Sequence, residues 1–243
     1  MTSATIKQLL ARTPVLEKCT EDVLETLAAH ASSREHSRGD VLWQVGAEPT
    51  ALVVVSKGLI KMTRVGGVGR RSLCGCFGPP QSIGDGVLVR GSPYPAQAAV
   101  ATPRAATIWV PRGLFLEAMQ RCPELGVSMC RHLQGKLMAL HDKIEVLSSG
   151  DVEARLATAL LKLADQYGDD FIDGSHLVPV ALSRRELADW VSTSVETAVR
   201  VMTRWERLGV VTTTRQGFLI RSLEELKRAR GDVAGESISP LAE

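Results

Sequence analysis

The stretch that most limits the fold of this chain is residues 182–202, LSRRELADWVSTSVETAVRVM. Ser183 followed three residues later by Glu186 is a capping box, a pattern that marks the first turn of a helix. Thr193 and Glu196 have the same spacing, so the stretch predicts two short helices joined by a tight turn. At about 100° per residue, one side of the second helix is apolar and is expected to face a core. The residues on that side are Ala198, Val201, Met202, Trp205 and Leu208.

The opposite side of the second helix is polar and carries Glu196, Arg200, Thr203 and Arg207. On most helices a Glu/Arg pair four residues apart is a solvated ion pair worth about 0.3 kcal/mol. Here the pair falls in the first turns of the second helix, and residues 210–220 predict a hairpin wing behind it. This context favours a helix that reads a DNA major groove, where Glu196 offers an acceptor and Arg200 a forked donor.

The first half of the chain shows different residue patterns, first of helix and then of short strands. Residues 5–31 predict helix with a break at Pro14, and residues 37–111 alternate short Val, Ile and Leu runs with glycines. Short strands at this spacing predict a small antiparallel roll or barrel. Residues 123–147 then predict one long helix, which ends at a hinge over residues 148–151.

The long predicted helix carries an apolar seam. Its members are spaced 3, 4, 3, 4 and 3 residues apart: Cys130, Leu133, Leu137, Leu140, Ile144 and Leu147. A helix packed on its own domain would also need an apolar face. A sustained alternation of three and four is typical of a coiled coil, so the seam predicts a dimer interface with a second copy of the chain.

Together these features resemble the cyclic-AMP-receptor/fumarate-nitrate-regulator (Crp–Fnr) family of transcription regulators. The resemblance extends over nearly the whole chain and is most specific in residues 195–200, VETAVR. It implies an α+β fold with a cyclic-nucleotide-binding-like β-roll and N-terminal helices (1–122), a dimerisation helix and hinge (123–149) and a winged helix-turn-helix (150–230). Residues 231–243 are expected to form a disordered tail.

The same resemblance implies roles for individual residues. Arg200 forks onto a guanine and Glu196 accepts from a cytosine amino group. The positions that touch DNA phosphates correspond to Ser183, Arg184, Ser194 and Thr197. Val195 matches the oxygen-sensing branch, but Val199 stands where that branch has serine, so the half-site beyond one G·C pair stays open. The implied partners are a two-fold-symmetric double-stranded DNA site, a second copy of the chain, and RNA polymerase.

The resemblance also locates a nucleotide pocket, and this sequence lacks its main contacts. The residues at the matching positions are Gly84, Asp85, Pro95, Ala96, Leu140 and His141. Asp85 replaces a glutamate that holds the ribose, whereas Pro95 and Ala96 replace the Arg-Ser or Arg-Thr pair that holds the cyclic phosphate. Leu140 and His141 replace two hydroxyl residues that contact adenine. Because an unneutralised phosphate in a half-buried pocket is costly, cyclic AMP is not expected as the effector.

Three kinds of control remain open from the sequence. The protein binds DNA without an effector, or its β-roll binds another nucleotide such as cyclic di-GMP, or it carries a redox or gas-sensing cofactor. Cys74 and Cys76 lie two residues apart in a predicted strand, so their thiols would share a face and could touch one metal ion. Buried structural thiols are the interpretation that we favour, and no cofactor or metal is predicted. Segments 56–58 and 66–69 predict tight turns within the roll.

Composition narrows the class of protein further. The net charge is +2, but residues 181–221 hold seven basic and four acidic residues, a surplus where a DNA-binding helix pair needs it. No apolar run approaches the roughly 18 residues of a membrane span, and residues 1–10 lack the apolar core of a signal peptide. Five cysteines at scattered spacings are typical of reduced thiols, which predicts a cytoplasmic protein. No nucleophile with a paired base stands out, so an enzyme is not expected.

Overall fold

The computed structural model of the protein describes residues 1–65, 71–148, 150–171 and 173–231. The predicted turn over 66–69 and all but the first residue of the predicted tail (231–243) lie outside the described residues. The chain divides into two compact units, residues 1–142 and the residues from 143 onward.

The helices of the first unit are α1 (Ser3–Ala11), α2 (Glu21–His30), α3 (Asp85–Arg90), α4 (Arg112–Arg121) and the start of α5 (Pro123–Ser148). The Thr2 hydroxyl caps α1 by accepting a hydrogen bond from the Thr5 N–H at 3.3 Å. Apolar residues of α1, α2 and α4 form one buried cluster around Leu10, Leu27 and Phe115. The N-terminal helices are therefore an integral part of this unit.

Two four-stranded sheets form the centre of the first unit. One has the order β1 (Ser32–Ser37), β8 (Arg104–Pro111), β3 (Ala51–Lys57), β6 (Ser82–Ile83), and the other β2 (Val41–Trp43), β7 (Gln97–Val100), β4 (Ile60–Val65), β5 (Arg71–Phe77). Their strand pairs are antiparallel. Val53, Val55, Ile60 and Ala98 from the two sheets are buried together. The predicted antiparallel roll is confirmed.

The turn predicted over residues 56–58 connects the two sheets rather than closing a hairpin. Gly58 has a φ of 70°, and a Cβ there would lie 2.3 Å from the carbonyl oxygen of Arg104. The next residue, Leu59, donates its N–H to the Thr102 hydroxyl at 3.0 Å. Only glycine fits this close approach of backbone to backbone, and it lets the chain pass from β3 in one sheet to β4 in the other.

Helix α5 has 26 residues and follows α4 directly. At about 1.5 Å per residue its length is about 39 Å. Leu125 and Met129 in its first two turns are buried in the cluster of the N-terminal helices. This end of the helix is therefore fixed to the first unit, while the residues after 142 belong to the second.

The second unit contains α6 (Val152–Tyr167), β9 (Asp169–Asp170), β10 (His176–Val178), α7 (Arg184–Trp190), α8 (Val195–Arg207), β11 (Val211–Thr213), β12 (Phe218–Ile220) and α9 (Leu223–Arg230). Its four strands form one sheet in the order β11, β12, β10, β9. Helices α7 and α8 followed by the β11–β12 hairpin are the predicted helix-turn-helix and wing. Among the described residues, none of the helices is both long and apolar enough to cross a membrane.

Candidate DNA-binding surface and degenerate nucleotide pocket

The capping box that predicts the start of α7 is present. The Ser183 hydroxyl accepts from the Glu186 N–H at 3.2 Å, and the Glu186 carboxylate accepts from the Ser183 N–H at 2.9 Å. Helix α8 begins one residue later than the second predicted box, because Ser194 rather than Thr193 accepts from the N–H of the third residue, Thr197, at 3.1 Å. Sequence spacing thus locates both helix starts to within one residue.

The turn between the two helices explains that shift. The Thr193 N–H donates to the Ala188 carbonyl at 2.9 Å, so Thr193 still belongs to the end of α7. Ser192 adopts a φ of 52°, in the left-handed region that few residues other than glycine, asparagine and aspartate adopt. This single left-handed residue reverses the chain within four positions.

Most of the predicted apolar side of α8 is buried. Ala198, Val201, Met202 and Trp205 belong to the core, as predicted. The prediction for Leu208 was wrong, since its side chain is 69% exposed. Helix α8 ends at Arg207 and Leu208 is its C-cap residue, so it lies at the end of the buried side of the helix.

Helix α6 holds the helix pair through contacts that the sequence did not reveal. The indole N–H of Trp205 donates to the Glu153 carboxylate at 2.9 Å, and Arg204 forms an ion pair with the same carboxylate. Arg155 donates through Nε to the carbonyl of Val191, the C-cap of α7, at 3.0 Å. The partners in these hydrogen bonds lie 36 and 52 residues apart in the chain, so no local pattern could indicate them.

Glu196 and Arg200 are both exposed on the outer side of α8. Within the described part of the chain, neither side chain takes part in an ion pair. The pKa of Glu196 lies below its usual value, because its own backbone N–H and then the Ser194 hydroxyl stabilise the carboxylate, with a further contribution from the charge of Arg185. The outer side of α8 therefore presents an ionised acceptor and a forked cationic donor one turn apart.

The four residues predicted to contact phosphates lie at the starts of α7 and α8, but their polar groups are not equally available. The Ser183 hydroxyl donates to the Glu186 carboxylate at 3.0 Å, and its N–H donates there too. Arg184 donates through Nη2 to the Thr213 hydroxyl of β11 at 2.6 Å. The Ser194 and Thr197 hydroxyls lie 3.1 Å apart at the start of α8. Arg184 thus joins α7 to the wing, whereas the serines serve first as helix caps.

Two stacked aromatic rings lie beside the residues that are predicted to line a nucleotide pocket in the β-roll. Trp43 and Tyr94 stack with centroids 4.2 Å apart and an interplanar angle of 14°. A Cβ at Gly84 would lie 2.5 Å from Cε1 of Tyr94, and the Trp43 indole N–H donates to the Ala96 carbonyl at 3.0 Å. Tyr94 directly precedes the exposed Pro95. The stacked rings therefore contact both the Gly84 and the Ala96 segments, the two that the resemblance assigns to the pocket.

Asp85, at the position that holds ribose in the family, is already bound by its own chain. Its side chain is 2% exposed and lies 2.8 Å from Nε2 of His132 and 2.7 Å from Nζ of Lys136, both on α5. The Ser82 hydroxyl donates to the same carboxylate. Burial alone would raise the pKa of Asp85, yet the His132 hydrogen bond, the Lys136 charge and the Ser82 hydroxyl together hold it well below its ordinary range. The α5 residues that contact Asp85 are His132 and Lys136. Leu140 and His141, the α5 residues predicted to line the pocket, are exposed.

The two cysteines of the predicted C-x-C pair do not share a face. Cys74 is exposed and Cys76 is buried. In the β4–β5 register Met62 pairs with Gly75 but Thr63 pairs with Leu73, so Cys74 is the extra residue of a bulge. A bulge breaks the two-residue alternation of a strand, which is why the expectation of a shared face was wrong.

The predicted seam of α5 is exposed in the single chain. The exposed fraction of its leucines and isoleucine runs from 37% at Leu147 to 60% at Ile144. Cys130 is exposed as well. Met138, which is not a seam residue, adds to this apolar surface at 53% exposure. A stripe of this kind is unusual on a helix that stays in contact with water.

Two family models match the chain. The cyclic nucleotide-binding domain model matches residues 33–122, which contain the β-roll, and the Crp-like helix-turn-helix domain model matches residues 154–229. A probable transcriptional activator of Rhizobium leguminosarum is 26% identical over 84% of this chain and 84% of its own length. A CRP-like cAMP-activated global transcriptional regulator of Mycobacterium tuberculosis is 24% identical over 91% of this chain and 98% of its own.

The fold is also that of solved regulators. The structure of a c-di-GMP-responsive global regulator of Xanthomonas campestris matches 84% of this chain and all of its own, with a TM-score of 0.67 at 18% identity. Both the β-roll and the helix-turn-helix thus have counterparts in a single chain of the same organisation. The protein belongs to the Crp–Fnr family of transcription regulators.

Proposed function

We propose that the protein is a homodimeric, sequence-specific DNA-binding transcription regulator that works without cyclic AMP. The observation that carries the proposal is the outer side of α8, where Glu196 and Arg200 are exposed and unpaired among the described residues. The inner side of the same helix is fixed by burial and by the contacts of Trp205 and Arg204 with Glu153. A rigid helix with one polar side suits the major groove.

The chemistry of the two side chains defines the bases that they would read. The Arg200 guanidinium can donate to O6 and N7 of one guanine, and the Glu196 carboxylate can accept from N4 of a cytosine. Each such contact discriminates against a wrong base by about 1–3 kcal/mol. Arg184 and Thr197 are the stronger candidates for phosphate contacts, because the donors of Ser183 are engaged by Glu186.

The exposed seam of α5 supports pairing with a second copy. Burying leucine and isoleucine side chains that are about half exposed gains about 25 cal/mol per Å² of apolar surface. Two paired α5 helices would present two α8 helices, which fits a two-fold-symmetric site with half-sites about one DNA turn apart. RNA polymerase remains a predicted partner, and a DNA target fits the cytoplasmic location predicted from the cysteines.

Binding-site selection on random DNA with purified full-length protein tests this proposal. We expect a two-fold-symmetric site to be recovered without any added effector. Arg200→Ala should then weaken binding to that site by about 30- to 25,000-fold, which corresponds to about 2–6 kcal/mol because both half-sites lose a contact of about 1–3 kcal/mol, and leave scrambled DNA little affected. Arg228→Ala on α9 is the charge-matched control, since Arg228 is paired with Glu225 at 2.6 Å. Unchanged affinity of Arg200→Ala for the selected site would refute the assignment.

A second candidate function is control by another nucleotide, such as cyclic di-GMP. It is favoured by the match of residues 33–122 to the cyclic nucleotide-binding domain model. The stacked rings of Trp43 and Tyr94 and the pairing of Asp85 with Lys136 disfavour any ligand that needs the ribose position. A ligand at about 100 times its Kd would stabilise the native state by about 2.7 kcal/mol. We expect no thermal shift with cyclic AMP, and a shift with cyclic di-GMP would favour the second candidate.

A further inference from the structure

The contact between α3 and α5 is a buried polar network centred on Asp85. Both oxygens of the Asp85 carboxylate are used: Oδ1 lies 2.7 Å from Nζ of Lys136, and Oδ2 lies 2.8 Å from Nε2 of His132. Ser82, in β6, donates to Oδ2 as well. His132 Nε2 and the Ser82 oxygen lie 3.3 Å apart, which closes the network. A buried carboxylate is tolerated only with partners of this kind, so the network strongly favours one arrangement of α3 against α5.

A close approach of Leu133 to α3 and a cation–π contact of Lys136 lie beside the network. A Cβ at Gly86, the second residue of α3, would lie 3.8 Å from Cδ2 of Leu133. The Lys136 ammonium also lies 5.8 Å from the ring centroid of Phe77 on β5. Lys136 remains 32% exposed, so it reaches Asp85 from the edge of the helix contact. The two side chains from α5, His132 and Lys136, therefore fasten that helix to both α3 and the sheet.

The network determines the rotation of α5 about its own axis. His132 and Lys136 are four residues apart and lie on one side of the helix. At about 100° per residue, the seam of Leu133, Leu137 and Leu140 is centred about 90° around the helix from that side. When His132 and Lys136 face Asp85, the seam therefore lies on an adjacent side of α5 and not on the side that packs against Asp85. This agrees with the exposure of 41% at Leu133 and 54% at Leu140.

We propose that Asp85, His132 and Lys136 form an internal lock that keeps α5 rotated with its seam available to a second copy, in place of an effector. The inference rests on the proposed function, in which α5 pairs two copies on DNA. Asp85 is then a positioning residue that acts through α5. The carboxylate at the ribose position serves the protein's own helix, and its partners arrive from the same chain at fixed geometry.

Two neutral variants and their combination test the lock in the full-length protein. Asp85→Asn and Lys136→Met each remove one charge, and the double variant removes both and keeps the site close in volume. Asp22→Asn is the matched control, because Asp22 is a 66% exposed carboxylate of the same unit paired with Arg121 at 3.3 Å. The dimer dissociation constant is measured by sedimentation equilibrium, together with affinity for the selected DNA site and the thermal midpoint.

The lock predicts that each single variant raises the dimer dissociation constant at least about tenfold. The dimer dissociation constant of the double variant should exceed that of the more strongly affected single variant by no more than about twofold, because the two residues share one contact. Asp22→Asn should change neither dimer nor DNA binding. If a single variant does not fold, the dimer dissociation constant of the double variant, in which neither charge is left unpaired by the substitution, still tests the lock.

Two results would overturn the lock. One is a lower thermal midpoint with an unchanged dimer constant, which would make the network merely structural. The other is a double variant whose dimer dissociation constant rises by the product of the increases seen in the two single variants. If the wild type dimerises through the lock but selects no DNA site, the proposed function fails and the lock stands. If the wild type selects a site and the variants dimerise normally, the lock fails and the proposed function stands.

Discussion

Replacing Gly84 by alanine is expected to destabilise the first unit by about 2–5 kcal/mol. Gly84 has a φ of 70°, and an added Cβ would meet Tyr94 Cε1 at 2.5 Å and Trp43 Cζ2 at 3.2 Å. A left-handed alanine costs about 1–2 kcal/mol, and forcing a methyl group into a packed core costs about 1–3 kcal/mol more. For a unit of this size, each kcal/mol lowers the thermal midpoint by about 3 °C. The expected decrease is therefore about 6–15 °C.

Gly39→Ala separates the two contributions. Gly39 has a φ of 88°, and a Cβ added there would have nothing within 4 Å, so alanine meets only the backbone cost. Both variants are unfolded by urea and followed by tryptophan fluorescence, to which Trp43 and Trp109, buried in the same unit, contribute, while the background from Trp190 and Trp205 is the same in both. If Gly84→Ala is no less stable than Gly39→Ala, the stacked rings do not fill the space beside Gly84. The Trp43–Tyr94 stack would then not exclude a nucleotide from this position by its volume.

Two further outcomes follow from the helix cap and the buried carboxylate. Ser183→Ala removes the capping box of α7 and should lower the unfolding free energy of the second unit by about 1 kcal/mol. The measurement is urea unfolding followed by tryptophan fluorescence and compared with the wild type, in which the emission of Trp43 and Trp109 is the same; an unchanged midpoint would contradict the cap. The pKa of Asp85 is lower in the folded protein than its unfolded value of about 3.9. Its stabilising contribution is thus present above about pH 4 and is lost as the pH falls toward the folded pKa. Asp85→Asn should therefore lose less stability than the wild type between about pH 4.5 and about pH 2.5, and equal losses would count against the network.

Local sequence patterns predicted those parts of the protein that depend on neighbouring residues. The Ser183–Glu186 box, the buried side of α8 and the exposed seam of α5 each follow from spacings of three or four residues. The same patterns place Glu196 and Arg200 on the outside of α8. Such features could be predicted because the periodicity of a helix is the same in any fold.

The remaining features depend on residues far apart in the chain. Nothing near Asp85 indicates that His132 and Lys136 neutralise it, and they are 47 and 51 residues away. The bulge at Cys74 is a property of the pairing between two strands rather than of either strand alone. Leu208 fits the apolar pattern of α8 but lies just after the helix ends. In each case tertiary structure decides where a regular pattern stops.

The exposed leucine stripe of α5 has a consequence for how much of the protein must be present. A regulator that binds DNA as a pair occupies its site in proportion to the square of the free monomer concentration when pairs are scarce. Doubling synthesis then raises occupancy about fourfold in that regime, with no change in any ligand. If the protein acts without an effector, as we propose, its own abundance becomes the quantity that controls how much of its DNA site is occupied.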